Sequence, residues 1–242
     1  MASEQLGELF GRIHAGLRRT LKKGALLADP SMVALHDRLL ALDPKKLTRQ
    51  SLENTRFVVI DTETTGLRAY AGDEICSISL IEIQGMEITG RELNTLINPG
   101  RDIPPESTEI HHITNEDVAD APVMEEMLLE VADFVGESVL VGHHIGFDIR
   151  FLNKILRKEL LCHLKHPWLD TMLLYLVNSG RVGHYTLEEV AEFSQVEVHG
   201  RHTSHGDAMT AAQVFIKLTA RLTEFNNPVQ KLINRQYELG HF

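Results

Sequence analysis

The sequence predicts an α/β protein built on a mixed sheet with helices on both faces. Three observations carry that expectation. A compact apolar run, Phe57-Val58-Val59-Ile60, ends in acidic residues. Two strand-like segments follow it at hairpin spacing. A second short apolar run, Val139-Leu140-Val141-Gly142, then stands among segments whose apolar residues recur at helical spacing. A meander of strands first, then helices around one more strand, suits a sheet covered on both sides.

The elements follow in order. Leu6, Leu9, Phe10, Ile13, Leu17 and Leu21 recur at intervals of three and four, one stripe of an amphipathic helix. Asp29-Pro30-Ser31 reads as a helix start, because Pro suits the first turn and polar side chains cap it. Val33, Leu35, Leu39, Leu40 and Leu42 continue to a stop at Asp43-Pro44. Residues 1–50 are therefore expected to be a helical extension that contacts a partner, a second copy of the chain or substrate, or that packs on the protein's own body. From Phe57 the β-branched run has the pattern of a buried central strand. Residues 75–83 alternate, Gln84-Gly85 turns the chain, and a further strand is expected over 87–97, closed by Asn98-Pro99-Gly100. A loop rich in Pro, Glu and His comes next. Helices are expected over 123–136 and 147–159, and near 170–178, 186–194 and 205–224. The main domain is thus placed at 51–224, with 225–242 a tail carrying a Pro break at 228 and a short helix.

At 242 residues and 43% apolar composition, the chain suits one ordinary α/β domain plus an extension. Its longest apolar runs, such as Met172 to Val177, are too short to span a bilayer, so no membrane partner is expected. Glu4, Glu8, Arg12, Arg18 and Arg19 interrupt any signal-peptide core, and a cytoplasmic protein is expected. Cys76 and Cys162 show no CxxC spacing and read as buried, reduced thiols. The net charge of −10 argues against a broad grip on nucleic acid driven by counterion release. Residues 1–50 carry a net of +4, which leaves −14 on the remainder. An acidic body suits an enzyme that collects divalent cations and touches few phosphates.

Three motifs carry chemistry. In Asp61-Thr62-Glu63 the strand alternation points both carboxylates the same way, about 7 Å apart along the chain. Paired hard oxygen ligands suit Mg²⁺ or Mn²⁺; an exposed acidic turn would read the same way. Gly142-His143-His144-Ile145-Gly146-Phe147-Asp148 follows a buried strand and places Asp148 early in a helix, where the helix dipole favours a carboxylate with or without a further role. His202-Thr203-Ser204-His205-Gly206-Asp207 puts a His in the loop before Asp207, which opens the next helix. Such a His is tuned to take a proton from water near neutral pH, though a polar cap accounts for the pattern too. Four carboxylates and a His at the ends of separate elements together fit two-metal phosphoryl transfer, with cations about 4 Å apart.

These motifs resemble those of the DEDDh 3′–5′ exonucleases, the family containing the proofreading subunit of bacterial replicative DNA polymerase. The resemblance covers about residues 56–222. It implies an RNase H-like fold with a mixed five-stranded sheet. It implies two divalent cations, Mg²⁺ or Mn²⁺: Asp61, Glu63 and Asp207 at one, Asp61 with Asp148 at the other. His202 would be the general base. Thr64 and Thr65 would lie at the 3′-terminal nucleotide, Phe147 near a base, and His111 of Ile110-His111-His112-Ile113-Thr114 against the terminal nucleoside. The implied reaction releases nucleoside 5′-monophosphates from the 3′ end of single-stranded DNA. RNA trimming by the same chemistry and an inactive nucleic-acid scaffold are the alternatives. A polymerase or other protein partner is implied as company, and the basic helical pattern of residues 1–50 allows a homodimer. Two positions depart from the family pattern: His144 stands where Asn is common, and His112 where Gly is usual, both bearing on substrate fit. His205 competes with His202 as base, and the spacing of five to Asp207 favours His202.

Overall fold

The computed structural model describes residues 25–238; the stripe from Leu6 to Leu21 lies outside the described residues. Asp29 caps the first long helix, accepting the Ser31 N–H at 2.8 Å, with Pro30 in the first turn. Helices α1 (Pro30–Ala41) and α2 (Pro44–Arg49) lead into β1 (Arg56–Thr64), β2 (Ile75–Gln84) and β3 (Glu87–Leu96). After α3 (Pro105–His111) and α4 (Met124–Val135) come β4 (Val139–Gly142), α5 (Gly146–Glu159) and β5 (Trp168–Asp170). Helices α6 (Thr171–Ser179), α7 (Leu187–Ser194), α8 (Ser204–Leu222) and α9 (Val229–Gln236) complete the described chain.

The five strands form one sheet in the order β3-β2-β1-β4-β5. β2 pairs antiparallel with both β1 and β3, while β4 runs parallel to β1 and β5 parallel to β4. This is the mixed, RNase H-like sheet the motifs imply. Alternation along the central strand builds two cores. Phe57 and Val59 join Ile81, Val141 and Leu169 under helices α6 to α9. Val58 and Ile60 join Ile78, Leu80 and Leu140 under α1, α4 and α5.

Both flanking segments pack on this body. Met32, Leu35 and Leu39 of α1 are buried in the second core, and Lys46 of α2 pairs with Glu137 at 2.8 Å. Val229 and Leu232 of α9 are fully buried in the first core. Gln236 then closes the free edge of β5: its side chain accepts the Asp170 N–H at 3.1 Å and donates to the Trp168 carbonyl at 3.2 Å.

Two elements differ from the sequence expectation. Residues 105–111, expected within a loop, form α3, started by Pro105 and too short to show a helical period. β5, the fifth strand that the resemblance implies but no local pattern located, is three residues long and owes its place to pairing with β4. No helix among the described residues is long and apolar enough to cross a membrane.

Candidate active site

The alternation that builds the two cores also aims the polar end of β1. Asp61 and Glu63 continue the face of Phe57 and Val59, towards α8. Thr62 continues the face of Val58 and Ile60, towards α5, where its hydroxyl donates to Asp148 Oδ1 at 2.7 Å. Asp148 stands in the first turn of α5 and is buried. Asp207 stands in the first turn of α8, also buried. One carboxylate oxygen from each of Asp61, Glu63 and Asp207 falls within 4.8 Å of the others.

The start of α8 depends on close backbone approach. Thr203 caps the helix, accepting the Gly206 N–H at 3.1 Å and donating to the Gly200 carbonyl at 2.6 Å. A Cβ on Gly206 would lie 2.0 Å from that carbonyl oxygen, so only glycine lets the 199–202 loop fold over the helix end. The loop delivers His202, in a left-handed conformation at φ 62°, with its backbone N–H 3.3 Å from Asp207 Oδ2. Ser204 anchors the helix end to the sheet, 2.6 Å from the hydroxyl of Ser77, the residue opposite Glu63. His205 is engaged elsewhere, its Nε2 3.0 Å from Glu92 on β3.

So many converging acids cannot all ionise comfortably. Burial, then the charges of Asp148, Asp207 and Glu63, push Asp61 well above the usual carboxylate range. Burial, with Asp207 adding to it, raises Glu63 to about 7. Burial raises Asp148 to about 7 against the opposing Thr62 hydrogen bond. The local counter-charge is Arg201, which spans Glu188 at 2.6 Å and Asp207 Oδ2. Asp207 Oδ1 remains buried with no hydrogen-bond partner. An orphaned carboxylate oxygen among hard oxygen donors is the chemistry of a divalent-cation site, and the residues present fit one.

The other expected contacts are arranged around this cluster. Thr64 and Thr65 are buried with their hydroxyls committed, Thr64 donating to the Gly66 carbonyl at 2.7 Å and Thr65 accepting the Glu74 N–H at 3.1 Å. His111 is buried too; its Nδ1 accepts the Ile113 N–H at 3.1 Å, and burial lowers its pKa. His144 is half-buried at φ 55°, its N–H 3.2 Å from Asp170 and its ring beside those of His143 and His184. Phe147 packs on Phe151, ring centres 4.9 Å apart. The sequence reading gave no role to Arg201, Glu188, Thr62 or Asp170. Arg201 adjoins His202 in the third motif, the one signal that pointed to it. Asp170 lies at the head of a helix whose preceding strand went unread.

Residues 58–215 match the family model described as Exonuclease. A DNA polymerase III subunit epsilon-like protein of Rhodobacter capsulatus is 39% identical over 73% of this chain, which spans only 25% of that protein's length. The DNA polymerase III subunit epsilon of Aquifex aeolicus is 34% identical over 74% of this chain, and 88% of that protein is covered. Among solved structures, the nuclease domain of 3′hExo, a DEDDh family member bound to rAMP, shares the fold at TM-score 0.55 and 18% identity, covering 67% of this chain and 90% of that one. A five-stranded mixed sheet with converging acids at the end of its central strand defines a nuclease of the RNase H-like class. This chain belongs to the exonuclease family, as a 3′–5′ exonuclease.

Proposed function

We propose that the chain removes nucleoside 5′-monophosphates one at a time from the 3′ end of single-stranded DNA, in the cytoplasm and in the company of a polymerase. The observation that carries the chemistry is the carboxylate cluster of Asp61, Glu63 and Asp207, with its orphaned oxygen and a loop histidine beside it. Asp61, Glu63 and Asp207 would hold one divalent cation, Mg²⁺ or Mn²⁺, and Asp61 with Asp148 a second. Bound there, the cations lower the pKa of water and offset the charge of the phosphodiester. The protein's own groups do the rest. His202 takes the proton from the attacking water, its backbone N–H anchored on Asp207. The engagement of His205 by Glu92 supports that assignment. Thr62 holds Asp148 in place by its hydroxyl. With their hydroxyls committed, Thr64 and Thr65 shape the wall for the 3′-terminal nucleotide through backbone and packing, and His111 backs that wall from inside. Phe147 and His144 line the side nearest α5.

The DNA preference and the polymerase partner rest on the relatives that carry the DNA polymerase III epsilon name. Mononucleotide release from matched DNA and RNA oligomers, with free or blocked 3′ ends and with Mn²⁺ or EDTA, tests the reading. We expect metal-dependent release from free DNA ends, abolished in Asp61→Ala. Faster release from RNA would move the substrate to RNA; no release from either would overturn the enzyme.

A further inference from the structure

Of the twelve arginines among the described residues, six are paired with a carboxylate. Arg38, Arg56, Arg91, Arg101, Arg201 and Arg235 each lie on a carboxylate. Arg181 and Arg221 hydrogen-bond the Tyr175 hydroxyl and the Phe193 carbonyl; Arg49, Arg68, Arg150 and Arg157 have no such partner among the described residues, and of these Arg68 and Arg150 follow the site's carboxylates in the chain. Both are exposed, and neither guanidinium has a hydrogen bond or ion pair among the described residues. Arg150 lies only against the ring face of Phe147, 6.0 Å from its centre. Two acids that follow Arg68 in the chain are spent: Asp73 is held by Arg101 at 3.0 Å, and Glu74 by Lys154 at 2.6 Å.

Position makes these two arginines informative. Arg68 lies two residues beyond the Gly66 that ends the first motif, and Arg150 two residues beyond Asp148. The short turn Ala69–Ala71 packs on α5, so the two stretches share one wall of the site. Tyr70, within that turn, is 61% exposed. The loop is braced: the Arg68 N–H donates to Asp73 at 2.9 Å, and Lys154 donates to the Asp73 carbonyl at 2.7 Å. A rigid loop thus presents a free cation and an exposed ring beside a second free cation.

A polyanion approaching a body of net charge −14 needs local cations on its route to the buried carboxylates. Arginine matches phosphate geometry, and an exposed ring stacks on any base, whatever its sequence. We propose that Arg68, Tyr70 and Arg150 form a ledge that binds the strand on the 5′ side of the scissile bond, the arginines on backbone phosphates and Tyr70 against a base. This rests on the exonuclease reading and adds a site for nucleotides that are not being released. It is a sequence-independent grip that sets how well long substrates compete with short ones.

Two measurements separate the ledge from the reaction. Affinity for a labelled single-stranded DNA oligomer is read by fluorescence anisotropy in EDTA, for wild type, Arg68→Gln with Arg150→Gln, and Tyr70→Ala. Hydrolysis of the p-nitrophenyl ester of thymidine 5′-monophosphate, which has no strand beyond the scissile bond, is read with Mn²⁺. We expect oligomer affinity to fall about tenfold in the double variant and in Tyr70→Ala. The double variant's salt dependence should also flatten by about 1.4 in log–log slope. Ester hydrolysis and melting temperature should stay at wild-type values. Unchanged oligomer affinity overturns the ledge, and so does an equal loss of affinity and ester hydrolysis, which marks a structural role. Failure of wild type to cleave ester or oligomer overturns the exonuclease reading instead, while a selective loss of affinity would still support the ledge.

Discussion

Three histidines at the site hold left-handed backbone: His112 at φ 60°, His144 at 55° and His202 at 62°. The first two are the positions where the sequence resemblance leads one to expect Gly and Asn, residues that tolerate this region best. His112 is the cap of α3, so His112→Gly should raise stability by about 0.5–1 kcal/mol, read as a higher melting temperature. The carboxylates make a second prediction. In the metal-free protein burial raises Glu63 and Asp148 to about 7, whereas in the unfolded chain they titrate near 4. A carboxyl raised on folding contributes stability at low pH and loses it as pH rises through its folded value. The melting temperature without metal should therefore fall between about pH 4 and 7, and the increase produced by Mn²⁺ should grow across that window. A metal-induced shift independent of pH would contradict this. Asp61, Glu63, Asp148 and Asp207 were legible in the sequence because alternation and helix starts fix where such side chains point. Arg201 was not, since its partner Glu188 lies on a different helix.

Among the elements, the junction of the 199–202 loop with α8 is the most constrained. Gly206→Ala would drive a Cβ into the Gly200 backbone, which no side-chain rotation relieves. We expect a stability loss of about 1–3 kcal/mol and a fall in kcat of at least tenfold as His202 shifts, with the KM of the thymidine ester little changed. Retention of full kcat would show that His202 is not the base. Long elements were readable: α4, α5, α7 and α8 fall within two residues of expectation because each shows a sustained apolar period. α3 and β5 were not, being too short for any period to register.

For the molecule as a whole, the flanks decide stability. Leu35 of α1 is 1% exposed, deep against α4 and the sheet, so Leu35→Ala should cost about 2–5 kcal/mol in chemical denaturation. A cost under 1 kcal/mol would show that α1 is a detachable arm. Deleting residues 225–242 should likewise destabilise, and promote association through β5, by uncovering the first core and the strand edge that Gln236 closes. Local pattern was enough to read the order of most strands and helices, the two-sided sheet and the four acids, because each follows from a period of two or of 3.6 along the chain. The pairing of Arg201, the burial of His111, the engagement of His205 by Glu92 and the docking of α1 and α9 join residues far apart in sequence. No local period encodes such contacts; they exist only once both cores have closed.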